Sequence, residues 1–88
     1  ILAKAFNGAG ILSWDKNDLE IARRYFEQSL ALYRELGDLD AAAGSLTNLG
    51  SIASLLGKRE ESLTLFQEAM TIYERTGNIR RKASVLSN

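Results

Sequence analysis

Apolar residues recur along this chain at steps of three and four, and no stretch holds the sustained alternation of a strand. Leu46, Leu49, Ala53 and Leu56 form one such stripe, and Phe26, Leu30, Tyr33 and Leu36 form another. No proline interrupts either. The stops are equally legible. In "ELGDLD" and "RTGNIR" a glycine, Gly37 or Gly77, stands where a helix leaves through a left-handed residue. Asp38 or Asn78 follows, a residue type that accepts hydrogen bonds from the free amides of the next helix. Asn17 and Gly57 are both residue types that tolerate the same left-handed turn. The pattern predicts five helices, at about 2–15, 18–36, 39–56, 59–76 and from 79 onward. Connections of two or three residues force sequential helices to lie antiparallel, as hairpins. The fold class is all-α.

The chain also repeats itself. Sliding it by 40 positions lays residues 1–48 over 41–88 without a gap, and nine pairs are identical, among them Gly10/Gly50, Phe26/Phe66, Tyr33/Tyr73, Gly37/Gly77 and Asn48/Asn88. Others exchange like for like, such as Leu12/Ile52, Leu30/Met70 and Asp38/Asn78. The expected organisation is an antiparallel helix-hairpin solenoid with repeat 1 at 1–38, repeat 2 at 39–78 and the first helix of a third at 79–88. An ordinary four-helix bundle needs no such register. Gly50, in mid-helix, carries a helix-propensity cost of about 1 kcal/mol relative to alanine. Its reason is expected to be packing. Gly10 and Gly50 face small residues, Ala22 or Ser62 and then Ser29 or Ala69, with Phe26 and Phe66 filling the space beside the contact.

This order of Leu46, Leu49, Gly50, Ser62, Phe66 and Ala69, repeated more loosely as Phe6, Ala9, Gly10, Ala22, Phe26 and Ser29, resembles the tetratricopeptide repeat. The resemblance covers essentially the whole chain. It departs from the family in period, 40 against the usual length of about 34, in Ser13 or Ala53 standing where an aromatic is usual, and in the missing terminal proline. The period falls in the range of HEAT and armadillo repeats, which leaves that fold as a rival. The phrases "FNGAGILSW", "SLALYRELGD" and "SLTNLGSIASLLG" look like the longer arrays of bacterial multidomain regulators. The resemblance implies a non-enzymatic scaffold that binds a peptide or protein and reports this to an effector domain elsewhere. The alternative is a structural module in which copies stack through exposed solenoid ends into homo-oligomers.

Composition narrows the chemistry. Eleven basic and eleven acidic residues cancel, which argues against a general nucleic-acid binder. The charge is uneven: residues 1–44 hold five Lys/Arg and seven Asp/Glu, and residues 45–88 hold six and four. Arg80, Arg81 and Lys82 make a short basic run, read as a solvated helix face or a dock for an acidic segment. There is no cysteine, hence no disulfide framework, which suits a reducing cytoplasm. No apolar run approaches the roughly 20 residues that cross a membrane. The start at Ile1 and the stop in mid-pattern at "ASVLSN" suggest a fragment. With neither His nor Cys, the commonest general base, nucleophile and metal-ligand types are missing, and no metal or cofactor is expected. Asp38 and Asp40, beside Glu35, look like an oxygen-ligand cluster, but Asp38 reads more simply as a helix cap. "GAG" at 8–10 lacks the lysine and the preceding strand of a phosphate loop.

The first helix of each repeat is expected to line the concave wall. With Leu46, Leu49, Gly50 and Ala53 turned inward, helix 39–56 offers Gly44, Thr47, Asn48, Ser51, Ser54 and Leu55 to a ligand. The equivalent positions of repeat 1 are Lys4, Asn7, Gly8, Ile11, Trp14 and Asp15, and the third repeat adds Asn88. That wall is small, polar and nearly uncharged apart from Lys4 and Asp15, which suits an extended peptide held through its backbone. The family resemblance points to Asn48 and Asn88 as the residues that bond a peptide backbone, with Gly8 breaking the ladder. A bond from Asn48 to a neighbouring helix is the competing role. Trp14, the sole tryptophan, is either a groove anchor or packing near Leu19.

Overall fold

The computed structural model describes residues 2–77 and Val85. Four helices follow one another: α1 (Leu2–Asp15), α2 (Leu19–Leu36), α3 (Leu39–Leu55) and α4 (Arg59–Thr76). These are the expected helices to within one residue at each end. No strand occurs among the described residues. The expected fifth helix, with Arg80, Arg81, Lys82 and Asn88, lies outside the described residues except for Val85, which is helical and buried in the core.

Three of the turns share one construction. Asn17, Gly37 and Gly57 all sit at positive φ, at 64°, 72° and 79°. At each, the next residue's amide reaches back across the helix end: Asp18 to Ser13, Asp38 to Tyr33 and Lys58 to Ala53. This closes the helix as a Schellman motif and satisfies carbonyls that would otherwise be orphaned. Only glycine or a short polar residue enters that conformation cheaply, which is why these residue types mark the stops. The following helix starts at once. Asp38 caps α3, its Oδ1 accepting from the Ala41 amide at 3.2 Å, so the cap is what that aspartate supplies. Asp18 stands at the same place before α2 but makes no side-chain cap bond.

Each helix packs on the next, α1 on α2, α2 on α3 and α3 on α4, as hairpins stacked into an all-α solenoid. One core runs through it: Ala22, Phe26, Leu30, Ala42, Ala43, Leu46, Leu49, Ile52, Ala69 and Tyr73 are all buried. Burying a Phe, Leu or Ile side chain contributes roughly 1.5–3 kcal/mol relative to leaving it in water, so this spine dominates stability. Leu36, counted in the apolar stripe of α2, is the last residue of its helix and is 69% exposed.

The glycine contact differs in detail from the expected backbone approach. A Cβ on Gly50 would lie 2.7 Å from Cε1 of Phe66, and one on Gly10 would lie 2.7 Å from Cε1 of Phe26. The phenyl ring therefore occupies the space of the missing methyl, rather than filling a gap beside it. The small partner has its own task. The Ser62 hydroxyl, buried, donates to the Gly50 carbonyl at 2.8 Å, a contact that needs both a short side chain on α4 and a close approach to α3. Ser29 and Ser45, equally buried, bond each other at 3.1 Å and tie α2 to α3. On the outside, Arg23 donates to Glu61 at 2.9 Å and Arg34 to Glu68 at 3.0 Å, linking the second helices of the two hairpins. The Arg34–Glu68 pair is exposed and contributes little stability, and the Arg23–Glu61 pair is part-buried.

Candidate functional site

Two helices with small, polar faces build a recess between them. Positions 44, 47 and 48 fall on one side of α3, opposite the stripe buried by α2 and α4, because residues three and four apart share a helix face. Gly44, Thr47 and Asn48 line a groove of about 510 Å³ there, and Asn7 of α1 joins them from the preceding hairpin. The groove's far end is made by Tyr33 of α2, Asp38, Asp40 and Ala41 at the start of α3, and Tyr73 of α4. Ser45 contributes to the floor.

The polar groups are held in definite ways. Asn48 is half-buried, and its Nδ2 donates to Oδ1 of Asn7 at 3.4 Å, bridging the two first helices. Thr47 turns its hydroxyl back onto the Ala43 carbonyl at 2.9 Å. Asp40 accepts the Thr76 hydroxyl at 2.7 Å. Tyr73 is 2% exposed, yet no hydrogen bond to its hydroxyl forms among the described residues, and no side-chain oxygen there is both sealed from solvent and unpartnered. That hydroxyl is therefore the part of Tyr73 that opens into the groove. A Cβ placed on Gly44 would lie 3.9 Å from it.

The expected site residues divide into three groups. Asn7, Thr47 and Asn48 come together in this groove. Trp14, Ser51 and Leu55 line a second, shallower recess with Ser54 and Phe66, where Leu55 is 59% exposed. Trp14 also packs edge-on against Phe26, with ring centroids 6.2 Å apart and planes at 84°, so it serves the core while one side faces that recess. Lys4 and Ile11 are exposed on α1 and line neither recess. Asn88 lies outside the described residues.

The wall is less neutral than the α1 and α3 faces alone suggest. Lys4 and Asp15 stay outside the groove, while Asp38 and Asp40, at the α2–α3 turn and the start of α3, line it together with Tyr33. Sequence reading missed both tyrosines and both aspartates as groove residues. One sign was available: positions 33 and 73 hold tyrosine where burial alone asks only for an apolar ring.

Residues 1–75 match the tetratricopeptide repeat. The chain belongs to the tetratricopeptide repeat family, which decides against the HEAT and armadillo rival. Repeats of this family generally mediate protein–protein interaction as scaffolds and are typically not enzymes. A search of curated proteins gave no match. Among the described residues, no helix is long and apolar enough to cross a membrane, and no group of acidic side chains is placed to hold a metal ion.

Proposed function

We propose that this segment, built from repeats at 1–38 and 39–78 with a third starting at 79, binds an extended peptide of a partner protein along α1 and α3. The observation that carries the reading is the groove itself: about 510 Å³, lined by amide and hydroxyl side chains from two successive first helices. Amides present both donors and acceptors, which is what an extended backbone with its unpaired N–H and C=O groups requires. Asn48 is the central contact. It would exchange its long bond to Asn7 for a shorter one to the peptide. Trp14, Ser51 and Leu55 extend the surface, and Asn88 would continue it. The likeness of "FNGAGILSW" and "SLALYRELGD" to arrays of bacterial multidomain regulators supports a sensor or interaction segment that reports occupancy to an effector domain.

The test is to select binders from a random eight-residue peptide library and measure them against Asn48→Ala. Affinity is expected to drop roughly tenfold, the scale of one well-made hydrogen bond to a peptide group, with helicity and melting unchanged. Undiminished affinity, or a variant that loses binding only because it unfolds, contradicts the role given to Asn48.

A further inference from the structure

We infer that the recess beside Leu55 takes an aromatic side chain of the bound peptide, tryptophan best of all. The inference rests on the peptide-binding reading above and specifies what the peptide carries. A difference between the two repeats points to it. Phe26 and Phe66 stand at matched positions 40 residues apart, and each ring lies against a glycine, Gly10 or Gly50, where a Cβ would come within 2.7 Å of Cε1. Their surroundings then diverge. Phe26 is fully buried, and Trp14 meets it edge-on, with ring centroids 6.2 Å apart and planes at 84°. The residue that matches Trp14 in the second repeat is Ser54, which has no ring to offer. Phe66 is only half-buried and makes no ring contact among the described residues. It lines the recess together with Trp14, Ser51, Ser54 and Leu55. The first repeat thus shows what occupies this place when the chain supplies it: an indole set at right angles to the phenyl ring.

The recess continues the polar groove. Asn48, Ser51 and Leu55 share one face of α3, and Asn7 and Trp14 are likewise two turns apart on α1. The cleft between these helices therefore has a polar rung, where Asn48 donates to Asn7, and an apolar rung of Trp14 and Leu55 two turns further along. Two turns are roughly 11 Å, which an extended peptide covers in about three residues. The recess measures about 240 Å³, and an apolar cavity of about 150 Å³ is enough to hold benzene. Trp14 and Leu55 supply apolar contact, and Phe66 supplies a ring for the edge-to-face packing that aromatic pairs prefer. A charged side chain would be desolvated there without a partner, because no charged residue lines the recess among the described residues.

The experiment measures binding of eight-residue alanine–serine peptides whose central residue is Trp, Phe, Leu or Ala. They are titrated against the chain and against Ser54→Trp, Leu55→Ser and Asn48→Ala, with helicity followed by circular dichroism. Positions 54 and 55 are exposed, so both variants there are expected to stay folded. The tryptophan peptide should bind about tenfold better than the alanine peptide, and the leucine peptide about threefold better. Ser54→Trp supplies the ring from the chain itself and should bring the tryptophan-to-alanine ratio close to one. Leu55→Ser removes one wall and should lower that ratio to about threefold. Asn48→Ala should weaken every peptide alike and leave the ratio in place. A ratio near one in the unaltered chain, or a leucine peptide that binds as well as the tryptophan peptide, overturns this inference; the peptide groove then stands if Asn48→Ala still weakens binding. A tenfold ratio that survives both Ser54→Trp and Leu55→Ser places the ring elsewhere and overturns it too. No binding by any peptide overturns both readings.

Discussion

Two glycines lie inside α3, Gly44 in its first half and Gly50 in its second, and they solve different problems. At Gly50 the space of a side chain is already taken: a Cβ there would lie 2.7 Å from the Phe66 ring, and the carbonyl beside it receives the Ser62 hydroxyl. At Gly44, six positions earlier, the space holds only a tyrosine oxygen at 3.9 Å among the described residues. The same residue, at the same cost in helix propensity, is therefore a packing device at one end and an opening at the other. One half of the helix builds the scaffold, and the other half lines the groove.

The comparison can be broken at its strongest point by Gly50→Leu. The added side chain must displace a ring wedged between α3 and α4, and overpacking of this kind, net of the propensity gained, should destabilise by roughly 3 kcal/mol. Chemical denaturation measures it, and an unchanged midpoint would mean that the ring moves freely and that the scaffold half is not tightly specified.

A smaller effect sharpens where the scaffold ends and the groove floor begins. Ser29 and Ser45 are buried and bond each other at 3.1 Å. Ser29→Ala strands the Ser45 hydroxyl and should cost about 1–2 kcal/mol. Adding Ser45→Ala should cost little more, since both partners are then gone. Additive losses in the double variant would show that the two hydroxyls act separately and that Ser45 belongs to the groove instead.

How much of this was legible in the sequence follows the same division. The helix bounds were, because each depends on a neighbouring residue type: Gly37, Gly57 and Asn17 in left-handed turns, Asp38 at a cap. The Gly50–Phe66 contact was legible because Gly10 and Phe26 recur at matched spacing, although which group fills the gap had to be seen. The groove was harder. Asn7, Thr47 and Asn48 follow from helical periodicity on α3 and α1, but Tyr33, Asp38, Asp40 and Tyr73 arrive from two other helices and a turn. Their meeting is a property of how hairpins stack, and no local spacing encodes it. For the same reason Lys4 and Ile11, expected on the concave wall beside Asn7, are exposed on α1 but do not line the recess: sharing a helix face with Asn7 does not bring them to its position along the axis.

The central claim, that the two glycines of α3 exist for opposite reasons, is tested most directly by measuring the unfolding free energies of Gly44→Ala and Gly50→Ala side by side. A methyl at 44 meets only ordinary contact, so the helix gains its propensity and the chain should become more stable by about 1 kcal/mol. A methyl at 50 meets the Phe66 ring, and the chain should become less stable by about 1 kcal/mol despite the same gain. Opposite signs are the predicted result. Shifts of the same sign and similar size would contradict the account.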